Sequence, residues 1–251
     1  MRIATWNVNS LKARLEKVEW WLERAAPEIL LLQETKLADA DAPLMAFSMA
    51  GYELVHHGEG RWNGVAIAIR QGLAIDRVVT NFGDGPVRDS SAGAGSAAGG
   101  EEAAEEDFNP FDEARMVAAT ITPPSGPPIT VASLYAPNGR VVDSPFYLGK
   151  LDWFARLRRW QPDPGRYSWW DYRAGNFHKN LGMRIDHLLA TPSVADRSVA
   201  AEVDREARKG PPTPSDHAPV VLDLDAPGRA FDADWSGALA RIAARSRPRG
   251  G

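Results

Sequence analysis

The stretch RIATWNVNSLKARLEKVEWWLERAAPEILLLQET, residues 2–35, decides the fold class. Its first eight residues mix β-forming and polar side chains, which predicts a strand that runs into a polar tip. Residues 10–27 repeat leucine and valine at helical spacing, with Ser10 as a candidate N-cap and Pro27 as the stop. Residues 28–35 form an apolar run that turns polar, which predicts a buried strand. A strand, a helix and a strand in this order indicate a layered α/β fold.

Many β-rich segments and few helical ones follow this stretch. PPSGPP at 123–128 predicts a turn, so the strands on either side of it are expected to form a hairpin. Residues 144–160 carry apolar side chains near helical spacing and predict a helix. The segments predicted as strands are YELVHH (52–57), GVAIAIR (64–70), ARMVAATIT (114–122), ITVASLYAP (129–137), RYSWWDYR (166–173), RIDHLLAT (184–191) and APVVLDLD (218–225). This balance predicts two packed sheets with helices outside.

The composition excludes several kinds of site. The chain has no cysteine, so it has no disulfide, no thiolate nucleophile and no Cys-ligated zinc, which suits a reducing, cytoplasmic setting. Its N-terminus, MRIATWNVNS, becomes polar too early for a signal peptide. No apolar run approaches the ~18 residues that a membrane helix needs. We therefore expect a cytoplasmic protein without a membrane partner.

The charge of the chain is unevenly distributed. The net charge is −4, but residues 84–113 hold nine acidic side chains and one arginine, which leaves +4 for the rest. A mildly basic body is compatible with a polyanionic partner. Residues 89–107 are rich in Gly, Ala and Ser and then acidic, which predicts a disordered surface loop. We expect one domain over 1–226 and a C-terminal tail over 227–251.

A set of polar side chains stands at the ends of otherwise apolar segments. Each has an ordinary explanation, such as a turn for Asn7 or a solvated strand end for Glu34, although a buried Asp186 would need a partner. Asp216 and His217 could likewise form a simple turn before a strand. The whole set is Asn7, Asn9, Glu34, Tyr135, Asn138, Asp186, Asp216 and His217.

Taken together, these residue types indicate metal-assisted phosphodiester hydrolysis. Two carboxylates and an amide are hard oxygen ligands suited to Mg²⁺ or Mn²⁺. A histidine beside them can bond a phosphate oxygen, and a second aspartate can hold that histidine in one tautomer. The other histidines lack zinc-ligand spacing, and no G-x-S-x-G motif supports a serine hydrolase.

Six motifs occur in an order that resembles a known family. They are TWNVNSL (5–11), LLLQETK (30–36), WNGVAI (62–67), YAPNG (135–139), YSWWDYR with GMRIDHLL (167–189), and PSDHAPV (214–220). The chain resembles an exonuclease III-type apurinic/apyrimidinic endonuclease of the endonuclease/exonuclease/phosphatase superfamily. The resemblance spans nearly the whole chain. It implies a four-layer α/β/β/α sandwich of two packed mixed sheets that acts on duplex DNA with abasic sites or 3′ ends. We expect a monomer, although the sequence does not indicate the oligomeric state.

The resemblance also implies a role for each matching residue. Glu34 resembles the metal-binding glutamate, Asn7 the amide beside it, and Asp216 a further carboxylate of the Mg²⁺ (or Mn²⁺) site. Tyr135 resembles the tyrosine that contacts the scissile phosphate. His217 resembles the histidine that contacts the phosphate, and Asp186 resembles the aspartate that orients it.

The same resemblance implies a DNA-contacting loop in the WWDYR region. It assigns the loop to the minor groove near an abasic gap, where aromatic side chains can fill space or act as a wedge. The alternative for the two tryptophans is core packing, which we expect for at least one of them. The residues implied to contact DNA are Trp169, Trp170, Arg173 and Phe177.

One motif of the family has no counterpart in this sequence. Gly-Asp-x-Asn, whose Asp is the proposed general base or metal ligand, would stand between the 144–160 helix and RYSWWDYR, where only QPDPG (161–165) is found. The strand that carries it is interpreted as deleted, which leaves Asp163 as the only acid at the join. Two readings stay open: an active DNA-repair nuclease, or a catalytically impaired DNA-binding remnant of that family.

Overall fold

The computed structural model describes residues 1–81, 113–136 and 166–231 and the single residue 237. Its strands are β1 (Arg2–Asn7), β2 (Ile29–Gln33), β3 (Tyr52–His57), β4 (Val65–Arg70), β5 (Ala74–Thr80), β6 (Met116–Thr122), β7 (Ile129–Leu134), β8 (Ser198–Val203) and β9 (Val220–Leu224). Its α-helices are α1 (Leu11–Ala25), α2 (Leu44–Met49), α3 (Asn176–Lys179) and α4 (Pro192–Ala195). Short 3₁₀ helices span Asp39–Asp41, Arg173–Gly175 and Arg205–Arg208.

The predicted strand–helix–strand unit at the N-terminus is confirmed. The Ser10 hydroxyl accepts a hydrogen bond from the Ala13 amide at 3.4 Å and caps α1. The helix ends at Ala25, and Ala26 takes a left-handed conformation (φ 45°) directly before Pro27. Because α1 provides the crossover, β1 and β2 can run parallel.

β1 and β2 lie at the centre of a six-stranded sheet with the order β3-β4-β2-β1-β9-β8. The β1–β2 pair is parallel and every other pair in this sheet is antiparallel. The order places the carboxyl ends of β1 and β2 and the start of β9 at one edge of the sheet.

The second sheet has the order β5-β6-β7 in the described residues, and both of its strand pairs are antiparallel. The predicted β6–β7 hairpin is confirmed, with Ile121 opposite Ile129 across the proline-rich turn. The sequence interpretation missed β5, because most of its side chains are exposed and its AIDRVVT sequence lacks an apolar run. β8 and the short helix α2 were also missed.

The core lies in two layers on either face of the large sheet. On one face, α1 and α2 pack on the sheet around Trp6, Trp21 and Phe47, which are almost fully buried. On the other face, β1, β2, β4 and β9 pack against β6 and β7 through side chains such as Ile67 and Ile121. The predicted α/β class with two packed sheets and outer helices is therefore confirmed. The smaller sheet is antiparallel in its described strands rather than mixed.

Two segments predicted as strands, RYSWWDYR and RIDHLLAT, are irregular instead. Trp169 forms single bridges to Met183 and His217, and no ladder continues from them among the described residues. The amides of Ile185 and Asp186 donate to the Ser168 hydroxyl at 3.2 and 3.1 Å. The strand prediction was wrong here because a side chain, rather than a neighbouring backbone, accepts these hydrogen bonds.

Several sequence predictions fall outside the described residues. These are the acidic loop over 89–107, the helix over 144–160, the QPDPG join with Asp163, and most of the tail over 227–251. The division at residue 226 stays a prediction. In the described part of the chain, no helix has the length and hydropathy to cross a bilayer.

A buried ion pair joins β1 and β9, which are neighbours in the large sheet. The Arg2 guanidinium donates one hydrogen bond from Nε to Asp223 Oδ1 at 2.8 Å and another from Nη2 to Asp223 Oδ2 at 2.9 Å. The two residues lie opposite each other in the β1–β9 register. Burial alone would raise the pKa of Asp223, but hydrogen bonds from Arg2 and the Gly228 amide outweigh burial and lower it.

We expect Asp223→Asn to lower the free energy of unfolding at pH 7 by about 3 kcal/mol, because a buried guanidinium loses its counter-charge. Since the pKa of Asp223 is lowered by folding, its stabilisation is present above the ordinary Asp pKa of about 4 and lost as pH falls through the lowered value. Urea unfolding should therefore show the variant and wild type converging in acid. Asp225→Asn, which breaks the exposed pair with Arg197, is the control and should change stability much less.

Candidate active site

The site lies where three segments meet at one edge of the large sheet. Asn7 ends β1, and Glu34 directly follows β2, with Asn7 opposite Gln33 in the parallel register. Asp216 and His217 precede β9, which is antiparallel to β1 and so begins at the same edge. The Ser215 hydroxyl donates to the Asn7 carbonyl at 2.8 Å and fixes this turn against the end of β1. The sheet topology therefore brings together residues that are far apart in sequence.

A chain of amide contacts connects the two carboxylates. Asn7 Nδ2 donates to Glu34 Oε1 at 2.7 Å, and Asn7 Oδ1 accepts from the Asn9 amide at 3.0 Å. Asn9 Nδ2 in turn donates to Asp216 Oδ1 at 3.1 Å. Asn7 therefore orients Glu34, and Asn9 ties Asp216 to the same network.

Lys36 supplies a positive charge inside this network. Its ammonium lies 3.0 Å from Glu34 Oε2 and donates to Asn9 Oδ1 at 2.6 Å. The backbone here is unusual, since the four non-glycine residues Asn9, Ser10, Glu34 and Lys36 all have positive φ, between 45° and 86°. Non-glycine residues adopt this region at a cost, and such strain is concentrated at functional sites.

His217 and Asp186 form a close pair beside the carboxylates. His217 Nδ1 lies 2.9 and 2.8 Å from the two Asp186 carboxylate oxygens, and both side chains are largely buried. Burial alone would lower the pKa of His217, but Asp186, Asp216 and Glu34 outweigh it and raise the pKa. Because Asp186 engages Nδ1, Nε2 is the nitrogen that can meet a substrate oxygen.

Tyr135, which follows β7 in the second sheet, reaches the same site. Burial, the Glu34 charge and a hydrogen bond to that carboxylate raise the pKa of the Tyr135 phenol. The Arg115 guanidinium lies over the ring, 5.1 Å from its centroid. The phenol therefore stays protonated at neutral pH and can act as a hydrogen-bond donor. All six residues predicted as catalytic or metal-binding thus lie in one connected site.

The residues predicted to contact DNA separate into two groups. Trp169 is half-buried and donates Nε1 to Asp216 Oδ2 at 3.0 Å, which attaches it to the site. Arg173 is exposed and pairs with Asp171, with NH2 2.7 Å from Oδ2. Both have access to a ligand.

Trp170 and Phe177 belong to the core. Their rings are in edge-to-face contact with centroids 5.1 Å apart, and both residues are buried with Val203 and Ala218. Gly182 packs so closely on Trp170 that an added Cβ would lie 2.7 Å from its ring. The expectation that one tryptophan packs in the core is confirmed. Burial corrects the implied role of Trp170 and Phe177, which support the loop from inside and do not face a ligand.

Local sequence assigned no role to Lys36 or Trp62 at this edge, and it singled out Asn9 only as a polar residue at the end of an apolar segment. Lys36 and Asn9 lie inside quoted motifs, but nothing local shows that they bridge Glu34 and Asp216. Trp62 is 65% exposed with the Arg61 guanidinium 4.9 Å from its ring centroid. Its neighbour Asn63 accepts a hydrogen bond from the Lys36 amide at 3.0 Å, so the Trp62 loop borders the site. The sequence contained only the Arg61-Trp62 pair as a signal, and the exposure of Trp62 came from the structure.

The donor set fits Mg²⁺ and does not fit zinc. The described residues contain no group of three His, Asp or Glu side chains arranged to hold a metal. Mg²⁺, however, is commonly held by one or two carboxylates together with water and substrate phosphates. Glu34 and Asp216 provide carboxylates of that kind, each with about four lone-pair sites. Asn7 and Lys36 contact Glu34, and Asn9, Ser215 and Trp169 contact Asp216. Glu34 and Asp216 are the residues that would hold the ion.

Comparison with known proteins finds relatives over most of the chain. The model of the endonuclease/exonuclease/phosphatase family matches residues 4–217. Exodeoxyribonuclease III of Haemophilus influenzae is 27% identical over 269 aligned residues, covering 89% of this chain and all of the relative. An exodeoxyribonuclease of Bacillus subtilis is 25% identical and covers 90% of this chain and all of the relative.

Solved structures show the same similarity. A 3′ phosphatase from Neisseria bound to a product DNA hairpin superposes with a TM-score of 0.68 and 29% identity, over 90% of this chain and 100% of that chain. An AP endonuclease from Archaeoglobus fulgidus gives a TM-score of 0.66 and 27% identity with the same coverage.

Proposed function

The chain belongs to the endonuclease/exonuclease/phosphatase family, and from that premise we propose that it is a metal-dependent DNA-repair nuclease. Its substrates are duplex DNA with abasic sites and DNA with 3′ ends. The observation that carries the proposal is the His217–Asp186 pair next to Glu34 and Asp216 on one sheet edge. The relatives' activities, exonuclease, AP endonuclease and 3′ phosphatase, all act on phosphate esters of DNA. A monomeric, cytoplasmic protein is part of this proposal.

Each residue of the site has a separate role in the hydrolysis of a phosphodiester. His217 Nε2 donates to a phosphate oxygen, and Asp186 on Nδ1 holds the ring and supports its positive charge. The Tyr135 phenol has a single O–H, so it can donate to the phosphate only in place of its hydrogen bond to Glu34. Glu34 and Asp216 would hold a Mg²⁺ ion, which would supply Lewis-acid stabilisation of charge on the phosphate oxygens. Asn7 and Lys36 hold Glu34 in place for that role.

Incision of a labelled duplex with one abasic site tests the proposal. With Mg²⁺ we expect strand cleavage at the abasic position, and with EDTA none. A duplex of the same sequence without the lesion is the substrate control. Release of nucleotides from the 3′ end of that control duplex measures the exonuclease activity separately.

The second candidate is a DNA-binding protein without catalysis. The absence of Gly-Asp-x-Asn from the sequence favours it, because a missing general base or transition-state donor typically costs 10²-fold or more in rate. Folded protein that binds the abasic duplex but does not cut it with Mg²⁺ or Mn²⁺ would establish this candidate and reject the nuclease.

We expect Trp62→Ala to weaken binding of abasic duplex by about 5- to 150-fold, because stacking of one base on an aromatic ring is worth ~1–3 kcal/mol. Fluorescence anisotropy in EDTA measures binding without cleavage. Met49→Ala, at an exposed apolar residue at the far end of α2, is the matched control. Equal affinity of Trp62→Ala and wild type would show that the Trp62 loop does not touch DNA.

A further inference from the structure

A second histidine, distinct from His217, lies behind the turn formed by residues 34–36, called here the 34–36 turn. His56, the penultimate residue of β3, has its Nε2 atom 2.9 Å from the Thr35 hydroxyl. Its Nδ1 atom lies 2.7 Å from Asp39 Oδ1, and the same oxygen accepts from the Gly58 amide at 2.8 Å. The three side chains form a continuous series, Asp39–His56–Thr35, that ends between Glu34 and Lys36.

This arrangement has the connectivity of a nucleophilic triad, but its burial excludes that role. Thr35 is completely buried, so its hydroxyl cannot reach a substrate. The His56 side chain is 3% exposed, whereas Asp39 at the outer end is 59% exposed. The buried end of the series faces the 34–36 turn. The three side chains are therefore placed to hold this turn.

The hydrogen bonds of the series all donate in the same direction, from Thr35 to His56 and from His56 to Asp39. Burial lowers the pKa of His56 against the opposing effect of Asp39, which keeps the ring neutral at pH 7. A carboxylate can only accept, so Nδ1–H donates to Asp39 and Nε2 accepts from the Thr35 hydroxyl. Each member therefore orients the next.

The turn that the series reaches needs such support. Glu34 and Lys36, on either side of Thr35, both have φ of 53°. The backbone is held by the Thr35 and Lys36 amides, which donate to the Gly64 and Asn63 carbonyls at 3.1 and 3.0 Å. The Thr35 hydroxyl adds a side-chain anchor, packed so closely that a Cβ on Gly64 would lie 2.2 Å from it.

We propose that Asp39, His56 and Thr35 are positioning residues that hold the 34–36 turn, and with it the Glu34 carboxylate and the Lys36 ammonium, in the geometry that receives the metal. The part concerning the metal rests on the proposed function. Groups that orient a metal ligand typically change metal affinity by about 10–100-fold when removed. The series acts on Glu34 through the backbone and does not touch substrate.

Thr35→Val and Thr35→Ser form the central matched pair. Valine keeps the shape of threonine without its hydroxyl, and serine keeps the hydroxyl. We expect Thr35→Val to accelerate hydrogen exchange of the Lys36 amide by about tenfold and to raise the Mg²⁺ concentration for half of the Tm shift by about tenfold. Thr35→Ser should restore both values to near those of wild type.

His56→Ala and Asp39→Ala extend the test along the series, and His57→Ala is the control. Because His56 is buried, its loss carries a risk to folding, and Asp39 at the exposed end gives the second probe. His57 is the neighbouring histidine on β3, and its Nε2 atom has no hydrogen-bond partner among the described residues. The double variant Thr35→Val/His56→Ala should weaken Mg²⁺ binding no more than either single change. Each single change already breaks the same contact, the one between Thr35 Oγ1 and His56 Nε2.

Two results distinguish a failure of the positioning role from a failure of the proposed metal dependence. Unchanged Lys36 exchange in Thr35→Val and Asp39→Ala would overturn the positioning role, whatever the metal does. Wild type whose Tm does not respond to Mg²⁺ would contradict the metal dependence in the proposed function, and the exchange rates would then decide by themselves whether the series holds the turn.

Discussion

Replacing His217 with alanine should lower the rate of abasic-site incision by about 10³-fold or more while Mg²⁺ binding is retained. The proposed function assigns the imidazole to a phosphate oxygen, because Asp186 contacts its Nδ1 atom with both oxygens and Nε2 is the nitrogen left for the substrate. Its raised pKa, caused by three carboxylates that outweigh burial, favours a charged donor at that position. Alanine removes the donor and its charge together.

Single-turnover cleavage at saturating enzyme measures this effect on the chemical step. His178→Ala is the matched control, because His178 is exposed on α3 outside the site. Asp186→Asn should also be slow, since an asparagine amide can donate to Nδ1 and favour the wrong tautomer. A His217→Ala protein that cuts within about tenfold of wild type would remove His217 from the mechanism.

The second large effect is expected from Glu34→Gln, which should abolish both the Mg²⁺-dependent rise in Tm and the incision. Glutamine keeps the shape of the side chain and can still accept the hydrogen bond from Asn7 Nδ2. It loses the charge that Mg²⁺ requires, and of the two carboxylates proposed to hold the ion only Asp216 then remains. A ligand that binds the folded protein stabilises it by RT ln(1 + [L]/Kd), so losing affinity removes the stabilisation.

The measurement is Tm against Mg²⁺ concentration, with Ca²⁺ and NaCl series to separate specific binding from ionic strength. Glu53→Gln, an exposed carboxylate on β3, is the charge-matched control and should retain the wild-type rise. A rise of equal size in Glu34→Gln would assign the metal to other residues and would contradict the proposed site.

The two variants together distinguish an active enzyme from a remnant. Wild type that binds Mg²⁺ through Glu34 and cuts DNA through His217 is a nuclease that works without Gly-Asp-x-Asn. Wild type that binds Mg²⁺ and DNA but cuts neither abasic nor intact duplex keeps the binding geometry without the chemistry.

Much of the fold and most of the site residues were predictable from local sequence. The apolar runs at 29–33 and 65–70 and the helical spacing of α1 lead directly to elements of the structure, because a buried face imposes its own periodicity. Elements with weak patterns were not predictable in this way. β5 is a largely exposed strand with charged side chains, and nothing in its local sequence requires pairing with β6.

The failures at WWDYR and GMRIDHLL have a different cause. Aromatic and β-branched residues favoured strands, but the Ser168 hydroxyl takes the amides of Ile185 and Asp186 and ends the ladder. The sequence predicted that at least one of the two tryptophans packs in the core but not which one, and the structure buries Trp170 against Phe177 while Trp169 binds Asp216.

By itself, the sequence determined the α/β class, the order of the motifs and the polar residues at the strand ends, because side-chain chemistry and periodicity are local properties. Only the tertiary structure decided that Asn9 and Lys36 link the two carboxylates, that His56 stands behind Thr35, and that Arg2 pairs with Asp223. The reason is physical: a buried polar atom must find a partner, and which partner it meets depends on chain segments brought together by sheet topology, often hundreds of residues apart.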